Sequence, residues 1–520
     1  MKPHFLKRVR VFVSLTFFAA FSALFLDMGN SVPDLISDYV VYFQFLPSLL
    51  KFLSAGTLAA AGFIFVIFLT LLFGRVYCSF LCPLGVLQDV FIFARNKTRK
   101  ITYAFQHAFS RTRYGILTGV ILVFISGSIT GITLTDPYSH FGRILTHIIR
   151  PAAVWMNNAL VFSLAKINVY AVYPVESVKL SYLPLFFSLA VLALILWMSL
   201  SCGRLYCNTL CPVGTFLGFL SGFSVFKIRF NAGECIHCRA CEKVCKAGCM
   251  DLKNNVIDFS RCVACYNCLK ACPTSGVAYQ WGFKKTAPVV IGDAGKRNFL
   301  LQTAAFFFAS VSSLAGAQRE IEIYRSSTVP VTSKTAITPP GSVSLKNFSN
   351  RCTACQLCVA ACPTRVLQPA NLEYGLLGVM QPRMDYKLSY CNYDCVICSA
   401  VCPTGAILPQ HPNTKKLIQL GRAKFIRKNC VVYTQKTDCG ACAEHCPTKA
   451  VRMVFDKEIR KHAPKIDESI CVGCGACEFA CPTKPYKSIY VEGNAVHVAA
   501  EKAREVKITE KVDLKEDFPF

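Results

Sequence analysis

The chain has 520 residues, of which 53% are hydrophobic, and its formal net charge is +27. A mean hydropathy of +0.40 is too high for an ordinary soluble protein and predicts an integral membrane protein of several domains. Thirty cysteines restrict the chemistry to a disulfide scaffold, zinc sites or iron-sulfur clusters. Nucleic acid is not the expected partner of the positive charge, because cysteine-bound clusters of about two negative charges each would offset much of it.

Four apolar runs precede the first cysteine quartet, and each is close to the length of a membrane-spanning helix. They are residues 11–26, 56–73, 114–134 and 183–200. Lys and Arg are frequent before the first run and after the second, whereas residues 27–56 contain one Lys and three Asp. The positive-inside rule therefore places the N-terminus and residues 201–297 in the cytoplasm.

A twelve-residue segment occurs twice in this part of the chain. Residues 74–85 (GRVYCSFLCPLG) and 203–214 (GRLYCNTLCPVG) are identical at eight of twelve positions. We expect two parallel helical hairpins, related by a pseudo-two-fold axis along the membrane normal. Their four cysteines would then meet at the cytoplasmic rim: Cys78, Cys82, Cys207 and Cys211. Cysteines four residues apart share a helix face, so these thiols could bind an additional cluster; the alternative is that they only pack between helices.

Two closely spaced quartets follow the fourth apolar run. Their Cys-x2-Cys-x2-Cys-x3-Cys spacing is that of bacterial two-cluster ferredoxins, in which the fourth cysteine of each run binds the other cluster. The predicted ligand sets are Cys235, Cys238 and Cys241 with Cys272, and Cys262, Cys265 and Cys268 with Cys245. Zinc is the competing interpretation, but zinc sites pair two-cysteine knuckles instead of repeating a run of three plus one.

Four more quartets lie towards the C-terminus. They are Cys352, Cys355, Cys358 and Cys362; Cys391, Cys395, Cys398 and Cys402; Cys430, Cys439, Cys442 and Cys446; and Cys471, Cys474, Cys477 and Cys481. All four end in Cys-Pro, and the wider first gaps of the second and third change a loop without removing a thiolate. The sequence therefore predicts six 4Fe-4S clusters, or seven with the repeated segment.

Residues 296–317 (KRNFLLQTAAFFFASVSSLAGA) separate the two groups of quartets. Their basic start, apolar middle and small-residue end are typical of a secretory signal. The sequence GKRNFL resembles the twin-arginine export motif, with Lys in place of the first Arg. Sixteen cysteines exported unfolded would form disulfides, so we expect the second group to be loaded in the cytoplasm and exported folded. A buried helix of a soluble domain is the alternative for so short a run.

Three further features lie outside these motifs. Residues 135–182 are predicted to face the outside and contain His140 and His147, which could take up the protons of a quinol; the alternative is two solvated side chains. Cys202 and Cys249 have no partner in the repeat or the quartets. We expect both to be ordinary small buried residues.

The predicted fold combines an α-helical membrane domain with two α+β ferredoxin-like polycluster domains. Four helices would form two repeated hairpins, and a fifth helix would link the two parts. The predicted segments are a membrane domain at 1–230, a cytoplasmic two-cluster module at 231–285, an export-signal-like transmembrane segment at 296–317, a linker at 318–349, a periplasmic four-cluster domain at 350–495 and a charged tail at 496–520.

Taken together, these motifs resemble a fusion of NapH and NapG, ferredoxin-type proteins of periplasmic nitrate reductase systems. The helices, twin Cys-x3-Cys-Pro motifs and two-cluster module are similar to NapH, and the leader with four quartets is similar to NapG. One departure is Lys246, where a proline usually follows the quartet. The resemblance implies that the last four quartets pair first with fourth and second with third. The implied sets are Cys352, Cys355, Cys358 with Cys481; Cys471, Cys474, Cys477 with Cys362; Cys391, Cys395, Cys398 with Cys446; and Cys430, Cys439, Cys442 with Cys402.

The resemblance also implies a function: a quinol dehydrogenase module of the bacterial inner membrane, multi-pass, which transfers electrons to a periplasmic reductase or c-type cytochrome within a redox complex. The chain would act as a dehydrogenase subunit or simply as an electron carrier, and no catalytic residue is assigned. The alternative is an assembly factor for a respiratory metalloenzyme, against which the four-quartet extension argues. Neither a Cys-x-x-Cys-His haem motif nor a Gly-x-Gly-x-x-Gly loop accompanies the cysteines.

Overall fold

The computed structural model describes residues 3–282 and 329–502, apart from 30–31, 33, 57–59, 99–100, 177–180, 232, 331–332 and 334. The predicted export-signal-like segment at 296–317 lies outside the described residues, as do the start of the linker and most of the charged tail. Packing divides the chain into two units. The first comprises residues 1–324, 338–384 and 396–410, and the second 325–337, 385–395 and 411–520. The predicted four-cluster domain contributes to both.

The first unit is mainly helical. Its helices are α1 (Pro3–Leu26), α2 (Asp34–Tyr42), α3 (Phe45–Ala55), α4 (Gly62–Phe73), α5 (Tyr77–Phe80), α6 (Pro83–Thr98), α7 (Ser110–Ile125), α8 (Thr130–Thr135), α9 (Pro137–Ile144), α10 (Arg150–Ala165), α11 (Tyr182–Cys202), α12 (Leu205–Thr209), α13 (Pro212–Ser221), α14 (Ala240–Lys243), α15 (Asn267–Ala271), α16 (Leu345–Ser349), α17 (Leu357–Ala361) and α18 (Ile397–Ala400). A π-helical turn over Leu145–Ile149 joins α9 to α10 without a break.

Short antiparallel strands complete this unit. They are β1 (Phe226–Phe230), β2 (Met250–Asp251), β3 (Val256–Ile257), β4 (Val277–Trp281), β5 (Leu367–Pro369) and β6 (Pro382–Met384). The pair β1–β4 runs from Phe226 opposite Trp281 to Phe230 opposite Val277, so the first two quartets lie between its strands in the chain. The pairs β2–β3 and β5–β6 are antiparallel, with two and three paired residues in each strand.

The second unit carries the last two quartets. Its helices are α19 (Pro412–Lys415), α20 (Val431–Thr434), α21 (Ala441–Glu444) and α22 (Ala476–Ala480), and its strands are β7 (Ile418–Phe425), β8 (Val451–Asp456), β9 (Lys461–Ile466) and β10 (Ile489–Ala499). Strand β7 pairs antiparallel with β10, with an irregularity between Gly493 and Val498. The hairpin β8–β9 lies between the two quartets in the chain. Short helices and small antiparallel sheets around cysteine loops confirm the α+β character predicted for the ferredoxin part.

Within the described residues, three stretches of helix are long and apolar enough to cross a membrane: Phe5–Leu26, Pro137–Ala165 and Tyr182–Cys202. These stretches indicate a membrane-associated protein. The first and third correspond to predicted runs. By contrast, the predicted run at 56–73 yields only the twelve residues of α4, and the run at 114–134 is interrupted between α7 and α8, where Gly127 has a φ of +88°. The arrangement of four helices as two hairpins is therefore not confirmed.

The stretch Pro137–Ala165 replaces part of the predicted external loop. Asp136 caps its start, because its carboxylate accepts hydrogen bonds from the backbone N–H groups of Tyr138 and Ser139 at 3.3 and 2.9 Å, and Pro137 occupies the first helical turn. Residues 137–146 are buried in the protein, whereas only 6% of the most apolar window of the stretch is buried. An apolar segment with so little protein cover is suited to contact lipid.

Each copy of the repeated segment forms two successive helices. Cys78 lies in α5, and Cys82 directly precedes α6; in the second copy, Cys207 lies in α12 and Cys211 is the N-cap of α13. In both copies a proline, Pro83 or Pro212, begins the second helix. The expectation that the two cysteines of a copy share one helix face is wrong, because proline opens a new helix between them.

Candidate functional site

The four cysteines of the repeated segment are buried in the first unit: Cys78, Cys82, Cys207 and Cys211 are only 4–5% exposed. They are also neighbours of one another. Burial raises the pKa of Cys82 and of Cys211 well above the usual thiol range, and the neighbouring cysteines raise it further. Such thiols are hard to ionise on their own. Metal binding deprotonates a coordinating thiol outright, so this group of four, called here the repeat site, is suited to a metal cluster.

Two arginines connect the copies reciprocally across the repeat site. Arg75 Nη2 donates to the carbonyl oxygen of Cys207 at 2.9 Å, and Arg204 Nη1 donates to the carbonyl oxygen of Cys78 at 2.7 Å. Arg75 Nη2 also lies 3.8 Å from the Sγ atom of Cys78. Both side chains are fully buried. The contacts of the two copies are thus equivalent, as expected for segments related by two-fold symmetry.

The last glycine of each copy makes room for these arginines. A Cβ atom on Gly85 would lie 2.2 Å from the carbonyl oxygen of Cys78 and 2.8 Å from Arg204 Nη1. A Cβ atom on Gly214 would lie 2.3 Å from the carbonyl oxygen of Cys207 and 2.8 Å from Arg75 Nη2. The sequence analysis did not assign a role to the arginines or glycines. Their identity in both copies was the available signal.

In the first ferredoxin module, Cys241, Cys245, Cys262 and Cys268 are buried, and Cys238 is exposed. Burial raises the pKa of Cys241 to about 11, with Cys272 and Cys235 as charged neighbours. Burial also raises the pKa of Cys268 well above its usual range, and the thiols that face it are Cys265, Cys262, Cys245 and Cys241. The fourth cysteine of each run therefore faces the other run. Ligation itself stays a prediction.

Two residues next to these ligands differ from the expectation. Cys249, predicted to be an ordinary buried residue, is indeed 1% exposed, but its Sγ atom lies 3.6 Å from that of Cys245. Lys246, which replaces the usual proline, places its Nζ atom 3.1 Å from the carboxylate of Asp89 on α6. Its carbonyl oxygen accepts a hydrogen bond from the backbone N–H of Arg204 at 2.8 Å. Lys246 therefore fastens the module to the repeat site.

A buried excess of positive charge surrounds Asp89. This one carboxylate forms salt bridges with Arg10, with Arg204 at 2.9 Å and with Lys246 at 3.1 Å, and none of the four side chains is more than 12% exposed. Burial lowers the pKa of Lys246 to about 7, so near neutral pH the three partners leave about one to two positive charges in excess of Asp89 in a low-dielectric interior. Such an excess is costly without further anions. Anionic clusters at the flanking cysteine sites would supply them. The residues present therefore fit iron-sulfur clusters.

The spacing of the thiols is relevant to the kind of metal site. Within the described residues, no three His, Cys, Asp or Glu side chains are close enough to bind a single metal ion. A cubane cluster binds each thiolate to a different iron and so keeps the thiolates farther apart.

In the last four quartets, the last cysteine of a quartet lies near thiols of the neighbouring quartet. Cys402 faces Cys352, Cys355 and Cys358 and lines a small cavity with them. In the second unit, both Cys439 and Cys481 are neighbours of Cys430 and Cys442, and Cys446 is a neighbour of Cys471, Cys474 and Cys477. The pairing implied by the resemblance is therefore wrong for these three sets. Quartets adjacent in the chain close on each other through short connections, which need less ordering than a closure between the first and the last.

The remaining thiols are those of Cys362, Cys391, Cys395 and Cys398. Cys362 and Cys398 belong to the first unit, and Cys391 and Cys395 to the second. Their grouping stays a prediction.

Arg143 on α9 binds the loop of the quartet that begins at Cys352. Its Nε atom donates to the carbonyl oxygen of Ala354 at 3.0 Å, and its Nη2 atom donates to those of Thr353 at 3.0 Å and Thr133 at 2.8 Å. The side chain is 1% exposed. The sequence analysis missed this residue, because nothing in the local pattern connects it to a cysteine more than 200 residues away.

The two histidines of this region differ in environment. His140 is 4% exposed, its Nε2 atom is 2.9 Å from the carbonyl oxygen of Leu134, and its ring meets that of Tyr206 edge-on at 6.3 Å. The alternative of a solvated side chain is therefore wrong for His140. His147 is partly buried. A role of either in accepting quinol protons stays a prediction.

Comparison with protein families agrees with this geometry. A 4Fe-4S binding domain family matches residues 55–101 and 184–231, which contain the two copies of the repeat, and a second one matches residues 255–275. Families of 4Fe-4S dicluster domains match residues 351–407 and 437–484. The first of these dicluster matches spans two neighbouring quartets, in agreement with the observed pairing.

Several characterised and uncharacterised proteins are similar to parts of the chain. An uncharacterized protein of Methanocaldococcus jannaschii is 24% identical over 48% of this chain and 93% of its own length. The methylamine utilization ferredoxin-type protein MauN of Paracoccus denitrificans is 28% identical over 34% of this chain and 50% of its own. The ferredoxin-type protein NapG of Escherichia coli is 30% identical over 26% and 61%. No solved structure matches the chain significantly.

The resemblance to Nap-type ferredoxins is thus confirmed by sequence similarity. The chain is a ferredoxin-type 4Fe-4S electron-transfer protein related to NapG and MauN, with helices apolar enough to cross a membrane.

Proposed function

We propose that the chain is a quinol dehydrogenase module of the bacterial inner membrane, and that it delivers electrons to a periplasmic reductase or c-type cytochrome. The six quartets would bind six 4Fe-4S clusters and the repeat site a seventh. When bound, such clusters supply one-electron carriers whose potentials depend on their surroundings. The first ferredoxin module would lie in the cytoplasm and the last four quartets in the periplasm.

The observation that carries this proposal is the position of the repeat site between two other cysteine sites of the first unit. On one side, the backbone N–H of Arg204 donates to the carbonyl oxygen of Lys246, which directly follows Cys245. Asn208 Nδ2 donates to the carbonyl oxygen of Ala247 at 3.3 Å. The first module and the repeat site are therefore in direct backbone contact.

On the other side, the contacts lead towards the quartet that begins at Cys352. Tyr206, next to Cys207, donates from its hydroxyl to the carbonyl oxygen of Thr135 at 3.2 Å. The same short helix α8 provides Thr133, whose carbonyl oxygen binds Arg143, and Arg143 binds Ala354 in the loop of that quartet. A continuous set of hydrogen-bonded groups thus joins the three cysteine sites.

Helix α1 supports an arrangement across the membrane. Its 24 residues span about 36 Å at 1.5 Å per residue. Near its start, Arg10 Nε donates to the carbonyl oxygen of Ser79 at 3.3 Å, and Lys7 has Cys265 as a charged neighbour. Near its end, Phe25 packs beside Gly142, where the carbonyl oxygen of Cys355 also approaches. The first module and the later quartet are therefore at opposite ends of a helix long enough to cross the bilayer.

The test is the metal content of the full chain, purified without oxygen. Seven clusters predict about 28 iron atoms and as many acid-labile sulfides, and six predict about 24. The double variant Cys78→Ser/Cys207→Ser should lose about four iron atoms. Cys202→Ser is the matched control, since Cys202 lies outside every cysteine set and should change nothing.

Quinol oxidation needs a second measurement. Anaerobic addition of a soluble quinol should bleach the visible absorption of the clusters in the wild-type chain. A preparation that contains mostly zinc, or clusters that no quinol reduces, would refute the proposal. If deletion of the gene abolished an assembled oxidase while respiration on other acceptors continued, the assembly role would be favoured instead.

A further inference from the structure

A cavity of about 870 Å³ lies in the first unit between the membrane helices and the first ferredoxin module. Val13 and Phe17 on α1 and Leu69 on α4 form its membrane side, and Tyr266 and Tyr279 of the module form the other. Almost all of the lining is aliphatic or aromatic. Its size is within the range of about 300–1,000 Å³ that is usual for small-molecule sites.

The wall of this cavity adjoins two different cysteine sites. Four lining residues are chain neighbours of predicted ligands: Tyr77 precedes Cys78, Leu81 precedes Cys82, Tyr266 follows Cys265 and Leu269 follows Cys268. A molecule in the cavity would therefore contact the repeat site on one side and the module on the other. Neither His140 nor His147 lines it.

Polar groups are concentrated where the cavity meets these sites. The rings of Tyr266 and Tyr279 meet edge-on at 5.5 Å. Tyr279 donates from its hydroxyl to the carbonyl oxygen of Phe73 at 3.2 Å. On the opposite wall, Tyr77 donates from its hydroxyl to Gln44 Oε1 at 3.0 Å. An apolar chamber with phenol groups beside redox sites has the features needed to hold a polar ring with an apolar tail.

We propose that this cavity binds an isoprenoid quinol, with its head group between Tyr77 and Tyr266 and its tail along α1 and α4. This inference rests on the proposed function and locates the binding site of its substrate. Oxidation of the quinol to the quinone releases two electrons and two protons; 4Fe-4S clusters at the two adjoining sites are the electron acceptors. Ser275 lines the cavity and is exposed, so the protons have a route to water on the module side.

A phospholipid tail is the other molecule that an apolar chamber in a membrane protein could hold. It would need only the aliphatic wall, and neither the tyrosine hydroxyls nor the adjoining cysteine sites would matter to it. The experiment must therefore separate a ring bound at the tyrosines from a chain that merely fills the space.

The probe is the fluorescent quinol analogue heptyl-hydroxyquinoline N-oxide, whose emission is quenched when it binds a protein. Its dissociation constant is measured with the full chain in lipid nanodiscs. Val13→Trp fills the cavity and should weaken binding about tenfold or more. Leu15→Trp is the matched control: Leu15 lies on the same helix, is 51% exposed and does not line the cavity, so its affinity should stay within about twofold of wild type.

Tyr266→Phe tests the polar end without a change of shape. Loss of one hydrogen bond to the ring should weaken binding by about three- to tenfold. Unchanged affinity in both Val13→Trp and Tyr266→Phe would overturn the assignment, as would equal weakening by the control, which would mean that the probe only partitions into lipid. An effect of Val13→Trp alone would indicate a lipid tail and also contradict the proposal.

The same variants distinguish this inference from the function on which it rests. If quinol bleaches the wild-type clusters and Val13→Trp bleaches at the same rate, the quinol binds elsewhere and the function stands. If no quinol bleaches the wild-type clusters, the proposed function fails first.

Discussion

Replacement of Arg75 by methionine tests whether the reciprocal arginines set the redox properties of the repeat site. Arg75 Nη1 donates to Asn208 Oδ1 at 2.8 Å and to the carbonyl oxygen of Ser260 at 3.1 Å, and Nη2 donates to that of Cys207 at 2.9 Å. Methionine keeps an unbranched apolar stem that can fill the same space. The substitution therefore removes the positive charge and its hydrogen bonds with little change in packing.

The expected shift follows from the distance to the nearest thiol. Arg75 Nη2 lies 3.8 Å from Cys78 Sγ. Two unit charges at that separation, with an effective dielectric constant of about 20, interact by about 4.4 kcal/mol, which corresponds to about 190 mV for one electron. An added electron is spread over a whole cluster and lies farther away. We therefore expect the midpoint potential of the repeat site to fall by roughly half of that, about 100 mV, because the reduced state loses a stabilising cation.

The assay is a redox titration of the full chain followed by electron paramagnetic resonance. Arg75→Lys should retain most of the potential, because it keeps the charge. Arg113→Met is the control for lost packing: Arg113 is equally buried and donates to the carbonyl oxygen of Ser260 at 3.2 Å. The electrostatic reasoning would be refuted if Arg113→Met lowered the midpoint potential as much as Arg75→Met does. It would also be refuted if Arg75→Lys lowered that potential as much as Arg75→Met.

Three further predictions concern packing, ligand exchange and pH. Gly85→Ala should lower the free energy of unfolding by about 1–3 kcal/mol, because the added Cβ would lie 2.2 Å from a backbone oxygen. Gly119→Ala is the control and should not destabilise the chain, because its Cβ would have no atom within 4 Å. Equal melting temperatures of the two variants would contradict this reasoning. Cys358→Ser and Cys402→Ser should each cost about four iron atoms, and the double variant also about four, because both thiols face one cluster; a loss of eight would support the other pairing. Burial raises the pKa of Glu478 to about 7 from 4.5, so between these pH values the folded chain binds a proton that the unfolded chain does not. The free energy of unfolding should therefore fall by about 3 kcal/mol as the pH rises through this range. In melting experiments, Glu478→Gln should abolish this pH dependence.

The cysteine loops of the first module could be predicted from sequence because their geometry is local. Two intervening residues between successive cysteines leave few ways to arrange three thiols, and the structure places Cys272 beside Cys241 and Cys245 beside Cys268 as expected. The fourth partner is harder to predict when several quartets compete for it. Cys402 and Cys481 are equivalent in spacing, and only the packing of the loops determines which one faces Cys352.

The missed helix shows a second limit of sequence patterns. Hydropathy counts Arg143 and Arg150 as charges that interrupt an apolar run, so the stretch Pro137–Ala165 is not recognised as a span. In the structure, both guanidinium groups are bound by backbone carbonyl oxygens. Arg143 binds that of Ala354 at 3.0 Å, and Arg150 binds that of Phe25 at 3.0 Å. A charge that finds such partners inside the protein no longer prevents a helix from lying in an apolar environment.

The same reasoning connects the buried arginines to the loading of the chain with metal. Among the described residues, the four largest fully buried side chains are Arg75, Arg113, Arg143 and Arg204. Each donates to a backbone oxygen at or near a cysteine of a predicted site. In the described part of the chain, only Arg204 of these four has a salt bridge. Buried charges without anions cost several kcal/mol each, whereas a bound cluster brings about two negative charges to its site. The first unit should therefore reach its stable fold only together with its clusters.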